Sequence, residues 1–248
     1  MRRIRELIAQ VQAVHPQDHF FDSIEQTWAA SRQARAQYAA YDRALQTMDD
    51  QSWSELKSKS LKHFLDHREG QRKQGFFNQL NEAFAYQHLR RRGYADVRVL
   101  HEDGRVKPDL EYMAGGQLAF CEVKTIGISQ EQLARREAGG AFSGSIYSEL
   151  STGFLNKLDS TITTAWSQIT SHGARGFIYL VVLFDDFTLA YYDRYRTQIR
   201  RQINSHQAPS IHVKVGLLGR RKITKSPAWA VASEAPLIST EGRGTGAA

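Results

Sequence analysis

The stretch Lys107-Pro-Asp-Leu-Glu-Tyr-Met-Ala-Gly-Gly-Gln-Leu-Ala-Phe-Cys-Glu-Val-Lys124 decides how this chain is read. Gly115-Gly116 is a two-residue turn signal between two short segments of strand character, Leu110 to Met113 and Leu118 to Ile126, and together they predict a β-hairpin. Side chains two apart on a strand leave the same face. Glu122 and Lys124 therefore point one way, and Cys121 and Val123 point the other, into a core. Asp109 opens the preceding strand, so one face of the hairpin can gather two carboxylates and one ammonium. Charges beside an apolar strand are costly to desolvate unless they are paired or metal-bound.

The chemistry that wants this arrangement is metal-assisted phosphodiester hydrolysis. Two carboxylates suit a hard cation such as Mg²⁺, which takes oxygen ligands and keeps several waters. Mn²⁺ fits the same donor set. Such a cation polarises a phosphoryl oxygen and lowers the pKa of a bound water. A lysine beside two carboxylates stays protonated, which favours an electrostatic, water-orienting role over that of a general base.

Outward from the hairpin, the pattern on both sides is α/β. Phe76 to Arg92 reads as an amphipathic helix closed by Gly93, followed by a strand from Asp96 to Leu100. Asp103-Gly104 marks the turn between the first two strands. After the hairpin comes a long polar stretch, Gly127 to Gly153, and then a helix from about Phe154 to Ser171. Phe177 to Phe184 is almost wholly apolar and predicts a strand buried on both faces. A helix at Tyr191 to Ser205 and a strand at Ile211 to Val215 follow. Upstream, Ile4, Leu7, Ile8, Val11 and Val14 recur at helical spacing until Pro16. Ser23 is the expected N-cap of one long Ala- and Gln-rich helix reaching Met48, and a third helix runs from Asp50 or Ser52 to His67. The expected division is a helical appendage at 1–70, an α/β domain at 71–232 and a flexible tail at 233–248.

Pro108-Asp109 followed by Glu122-Val123-Lys124 resembles the signature of the PD-(D/E)xK nuclease superfamily. The resemblance covers roughly Gly75 to Val215 and implies a restriction-endonuclease-like αβββαβ core, which is the order read above. It implies that Asp109 and Glu122 bind Mg²⁺, that the backbone carbonyl of Val123 joins them, and that Lys124 is catalytic. Many members also carry a glutamate on the helix before the first strand, and Glu82 fits that place. In spacing, Glu82 to Lys124 looks most like the archaeal Holliday-junction resolvase branch. Several branches place a lysine or glutamine on the helix after the motif, which makes Lys157 and Gln168 further candidates; both lie on a polar stripe with Thr161 and Thr164.

Composition narrows the alternatives. The 248 residues carry 33 Lys and Arg against 26 Asp and Glu, a net charge of +7 that points mildly to polyanions, DNA first among them. Arg90, Arg91, Arg92, Arg135, Arg136, Arg220, Arg221 and Lys222 are the candidate contacts to nucleic acid, set against the plain reading of solvated surface. One cysteine, Cys121, excludes an internal disulfide framework and a multi-cysteine zinc site. No apolar run is long enough to span a membrane, and the basic N-terminus lacks the apolar run of a secretory signal, so a cytoplasmic protein is expected. His63 and His67 stand at i and i+4, but the glutamate of a zinc protease motif is missing, and they read as solvated or packed histidines. The leading expectation is a Mg²⁺-dependent endonuclease acting on DNA. The alternatives are a catalytically silent nucleic-acid-binding subunit and a scaffold in which the N-terminal helices serve dimerisation or partner docking.

Overall fold

A computed structural model describes residues 1–66, 73–127, 148–173, 175–184, 191–218 and 221–226. The architecture is mixed α/β: six strands in one mixed sheet and, among the described residues, seven helices. The helices are α1 (Arg2–Val14), α2 (Ile24–Ala30), α3 (Arg32–Leu45), α4 (Asp50–Lys62), α5 (Gln74–Arg91), α6 (Thr152–Thr170) and α7 (Tyr192–Ser205). The strands are β1 (Ala95–Val99), β2 (Leu110–Ala114), β3 (Gln117–Ile126), β4 (Gly176–Val182), β5 (Ile211–Val215) and β6 (Lys222–Lys225). Spatial order follows chain order, β1 to β6. The pairs β1–β2, β2–β3 and β5–β6 are antiparallel, while β3–β4 and β4–β5 are parallel and are joined through helices.

Each local choice has a cause. Gly115 and Gly116 both adopt positive φ, 58° and 77°, so the β2–β3 turn takes the twist that a tight hairpin needs. β4 is buried at every position because α-helices cover both of its faces. Its alternation sends Phe177, Tyr179 and Val181 into the core under α1–α5, and Ile178, Leu180 and Val182 into the core under α6 and α7. Helix α5 lies between the sheet and the other N-terminal helices, so it is apolar on more than one side: Phe76, Leu80, Ala83, Phe84 and Leu89 are all buried. One hydrophobic cluster runs without a break from Ile4 to Val181 through α5. The Arg3 guanidinium is buried in it and donates to the carbonyls of Leu45 (2.6 Å) and Met48 (2.9 Å), satisfying groups at the end of α3.

Three local expectations change. The long helix expected from Ser23 to Met48 is two helices, because Ser31 is extended (φ −123°, ψ 107°) and its Oγ accepts the Ala34 N–H at 3.1 Å. Side-chain capping by a serine outcompetes the helix propensity of the surrounding Ala and Gln. Ser23 makes no side-chain cap. The helix expected to reach His67 stops at Lys62, with His63 as its C-cap, and His67 lies outside the described residues. Strand β6 carries no signal in the sequence beyond a basic cluster. It pairs with β5 and buries a single residue, Ile223, with lysines at both ends, as suits a sheet edge. The polar stretch from Gly127, with Arg135, Arg136 and Tyr147, and the tail at 233–248 fall largely or wholly outside the described residues, as does Arg220. Among the described residues no helix is long and apolar enough to cross a membrane.

Candidate active site

Asp109 immediately precedes β2 and is tied twice to β3. Its backbone N–H donates to the Cys121 carbonyl at 3.1 Å, and its Oδ2 accepts the Val123 N–H at 2.7 Å. The pairing of Leu110 with Cys121 carries Asp109 to the level of Glu122 on the neighbouring strand. Two residues on, Lys124 turns back along the same face, and its Nζ donates to Glu122 Oε1 at 2.5 Å. The hairpin register and the two-residue strand period therefore bring together the three residues singled out in the sequence. Cys121, on the opposite face, is a buried packing residue whose thiol is pushed well up by burial and then by the nearby carboxylates.

Glu122 is 1% exposed, and its Oε2 is buried with no hydrogen-bond partner among the described residues. Burial, reinforced by the Asp109 charge, pushes its pKa up to about 8 although Lys124 opposes the shift. A buried carboxylate oxygen without a partner is expensive, so this atom is the clearest acceptor in the cluster.

The sequence reading missed Lys59. This residue of α4 points into the core with Leu56 and Ser60 and is 7% exposed. Its Nζ lies 2.7 Å from Glu82 Oε1, 2.8 Å from Glu82 Oε2 and 3.8 Å from Asp109 Oδ1. Burial opposes the ammonium, but Glu82 and Asp109 outweigh it and raise its pKa. Glu82, 3% exposed, is pushed up to about 8 by burial first, with Lys59 opposing and Asp109 and Glu122 adding to the rise. Burial is the first cause of the rise at Glu82 and Glu122, with the neighbouring carboxylates adding to it, whereas at Lys59 the carboxylates overcome burial. Glu82, Asp109 and Glu122 face Lys59 and Lys124, three against two, so the fully ionised cluster lacks one positive charge. A lysine inside the apolar stripe of α4 was the legible signal. Asn81 was missed as well. Its amide accepts from the Tyr41 hydroxyl (3.1 Å) and donates to Thr125 Oγ1 (2.8 Å), fixing α5 against β3 beside Lys124.

Among the described residues, no group of three or more His, Cys, Asp or Glu side chains forms a ready metal cage. The donor set that fits a hard cation is smaller: Asp109 and Glu122, with Glu122 Oε2 lacking a partner among the described residues. Two carboxylates suit Mg²⁺, which keeps most of its waters. Glu82 spends both oxygens on Lys59.

Comparison with family models, with curated proteins and with solved structures gave no match.

A cleft of about 510 Å³ opens beside Lys124, lined also by Thr125, His63, Asp66, Lys157 and Thr161. Lys157 thus shares the cleft with Lys124. Gln168, 11 residues further along α6 and so about 16 Å away along its axis, does not line it. His63 bridges two carboxylates, Nδ1 to Asp66 Oδ2 at 2.6 Å and Nε2 to Glu102 Oε2 at 2.9 Å. Burial opposes its charging, but the two carboxylates prevail and raise its pKa. Arg90 is exposed and away from both cavities, whereas Arg91, Arg92, Arg221 and Lys222 converge on a second cavity at the other end of α5.

Proposed function

We propose that the chain is a Mg²⁺-dependent nuclease acting on DNA, with a restriction-endonuclease-like core of the PD-(D/E)xK kind. The observation that carries this reading is the meeting of Asp109, Glu122 and Lys124 on one hairpin, with Glu122 Oε2 buried and unbonded. The run of elements from α5 through β1, β2, β3 and α6 to β4 supports it, being the αβββαβ order of that core. In this reading α1–α4 are an addition to the core, and Lys59 couples them to the site.

Asp109 and Glu122 would hold the cation, joined by the Val123 carbonyl. Bound there, the cation supplies Lewis-acid polarisation of a phosphoryl oxygen and a more acidic water. Lys124 orients the attacking water and stabilises charge growing on the phosphate. Lys157 adds a second ammonium to the cleft that holds Lys124, which favours a phosphodiester backbone. Lys59 pairs with Glu82 and lies within 3.8 Å of Asp109, which permits two buried carboxylates and the half-buried Asp109 to lie together.

One observation favours a second reading, a catalytically silent nucleic-acid-binding subunit: Lys59 is itself a cation lodged among the carboxylates. Cleavage of supercoiled plasmid, linear duplex and branched DNA in EDTA, Mg²⁺ or Mn²⁺ decides between them. The nuclease reading expects metal-dependent cutting that disappears in Lys124→Ala and Asp109→Asn while both variants stay folded. Salt-sensitive DNA binding with no cutting by any metal would replace it with the second reading.

A further inference from the structure

A second cavity, about 710 Å³, lies away from the carboxylates, between the C-terminal half of α5 and the sheet face of β4–β6. Strand alternation makes its floor. Ile211, Val213, Val215 and Ile223 enter the core beneath α6 and α7, so His212, Lys214, Lys222 and Thr224 face the opposite side, where the cavity is. Six cations line it: Arg43 from α3, Arg91 and Arg92 at the end of α5, Lys214 from β5, and Arg221 and Lys222 at β6. Among the described residues no Asp or Glu lines it. At the whole-chain ratio of 33 basic to 26 acidic residues, six cations would come with about five carboxylates, so this is local charge segregation and not average surface.

Two of these cations lie against aromatic rings. The Lys214 Nζ lies 4.9 Å from the centroid of the Phe84 ring, and Arg221 lies over Tyr192 at 5.2 Å, both contacts with aromatic faces. The rings of His88 and His212 sit 4.2 Å apart, and His212 stacks on Tyr179 at 5.1 Å. Both imidazoles are held neutral, first by burial and then by the cations around them. Phe84, Tyr179, Leu217 and Leu218 give the cavity an apolar and aromatic part of its lining.

We propose that this cavity binds a nucleoside polyphosphate, with the phosphates among Arg43, Arg91, Lys214 and Lys222 and the base against the aromatic lining. Concave walls of one charge focus potential onto an anion, and clustered cations at close range are stabilised by the multivalent anion that bridges them. The volume is that of a small-molecule site, in the usual range of about 300–1,000 Å³. The inference stands apart from the nuclease reading, since none of the six cations lines the cleft beside Lys124.

The test is calorimetric titration of the full chain with ATP, GTP, inorganic tripolyphosphate and a short DNA duplex, without divalent metal. The expected result is one nucleotide site per chain. Its affinity falls about tenfold or more in Arg91→Glu and in Lys222→Glu and is unchanged in Lys124→Ala. Arg91 and Lys222 are exposed, so both reversals should leave the fold intact, and unfolding midpoints check this. Tripolyphosphate binding as tightly as either nucleotide would overturn the role given to the base. Failure of both nucleotides to bind, or binding indifferent to the two reversals, would overturn the site. If the reversals weaken only the duplex, the cavity is a nucleic-acid groove and the proposal is wrong.

Discussion

Replacing Lys59 with Met removes the one ammonium that touches both Glu82 and Asp109. At 2.7 Å and an effective dielectric constant of about 20, the attraction to Glu82 is about 6 kcal/mol before desolvation, and the 3.8 Å approach to Asp109 adds about 4 kcal/mol. Keeping two ions out of water takes back most of this, so the intact pair adds little net stability. Deleting one partner is different, because a buried carboxylate is then left beside other carboxylates. The expected loss is about 3–5 kcal/mol. Glu82, already pushed up to about 8, can take a proton, and that caps the loss. For a chain of this size the fall in Tm is about 6–20 °C, at about 2–4 °C per kcal/mol. The assay is urea and thermal unfolding of wild type, Lys59→Met, Glu82→Met and the double variant, all in EDTA. The double variant should be more stable than the sum of the single losses allows, since it removes the buried charges together. Added Mg²⁺ should raise the midpoint more in Lys59→Met than in wild type, because that cluster is short of a second positive charge. A Lys59→Met loss below about 1 kcal/mol, or strictly additive losses, would refute the reasoning.

Acid should destabilise the fold through His88 and His212, whose folded pKa values are lowered to about 4 and about 2. A lowered folded pKa means stability present above the unfolded value of about 6.5 and lost as pH falls below it. From pH 7 to pH 5 the two sites together should cost about 4 kcal/mol, and His212→Gln should remove about half of that slope in urea midpoints. Gly176→Ala should destabilise by about 1–3 kcal/mol or more, because an added Cβ would lie 2.1 Å from Ile169 Cγ2 and 2.9 Å from the Phe120 carbonyl; thermal unfolding reads this. Asn81→Leu should cost about 1–3 kcal/mol in the same assay by orphaning the Tyr41 hydroxyl.

Much of the α/β region was legible because its signals are local. The hairpin could be read from two glycines flanked by alternating side chains, and β4 from an unbroken apolar run. The same period put Glu122 and Lys124 on one face, where their 2.5 Å contact is found. Where local signals compete, the reading slipped. Ser31 broke a helix that Ala and Gln composition favoured, and β6 escaped because an edge strand with one buried residue carries almost no periodic pattern.

By itself, then, the sequence determined the strand and helix periods, the turn at Gly115-Gly116 and the pairing of Asp109 with Glu122 and Lys124. These follow from backbone geometry acting over a few residues. Only the tertiary structure decided that Lys59 would sit between Glu82 and Asp109, and that Arg43, Arg91, Lys214 and Lys222 would line one cavity. Those groups come from separate elements and share no local pattern. They meet because hydrophobic burial packs α4 on α5 and α5 on the sheet, and burial is blind to sequence distance.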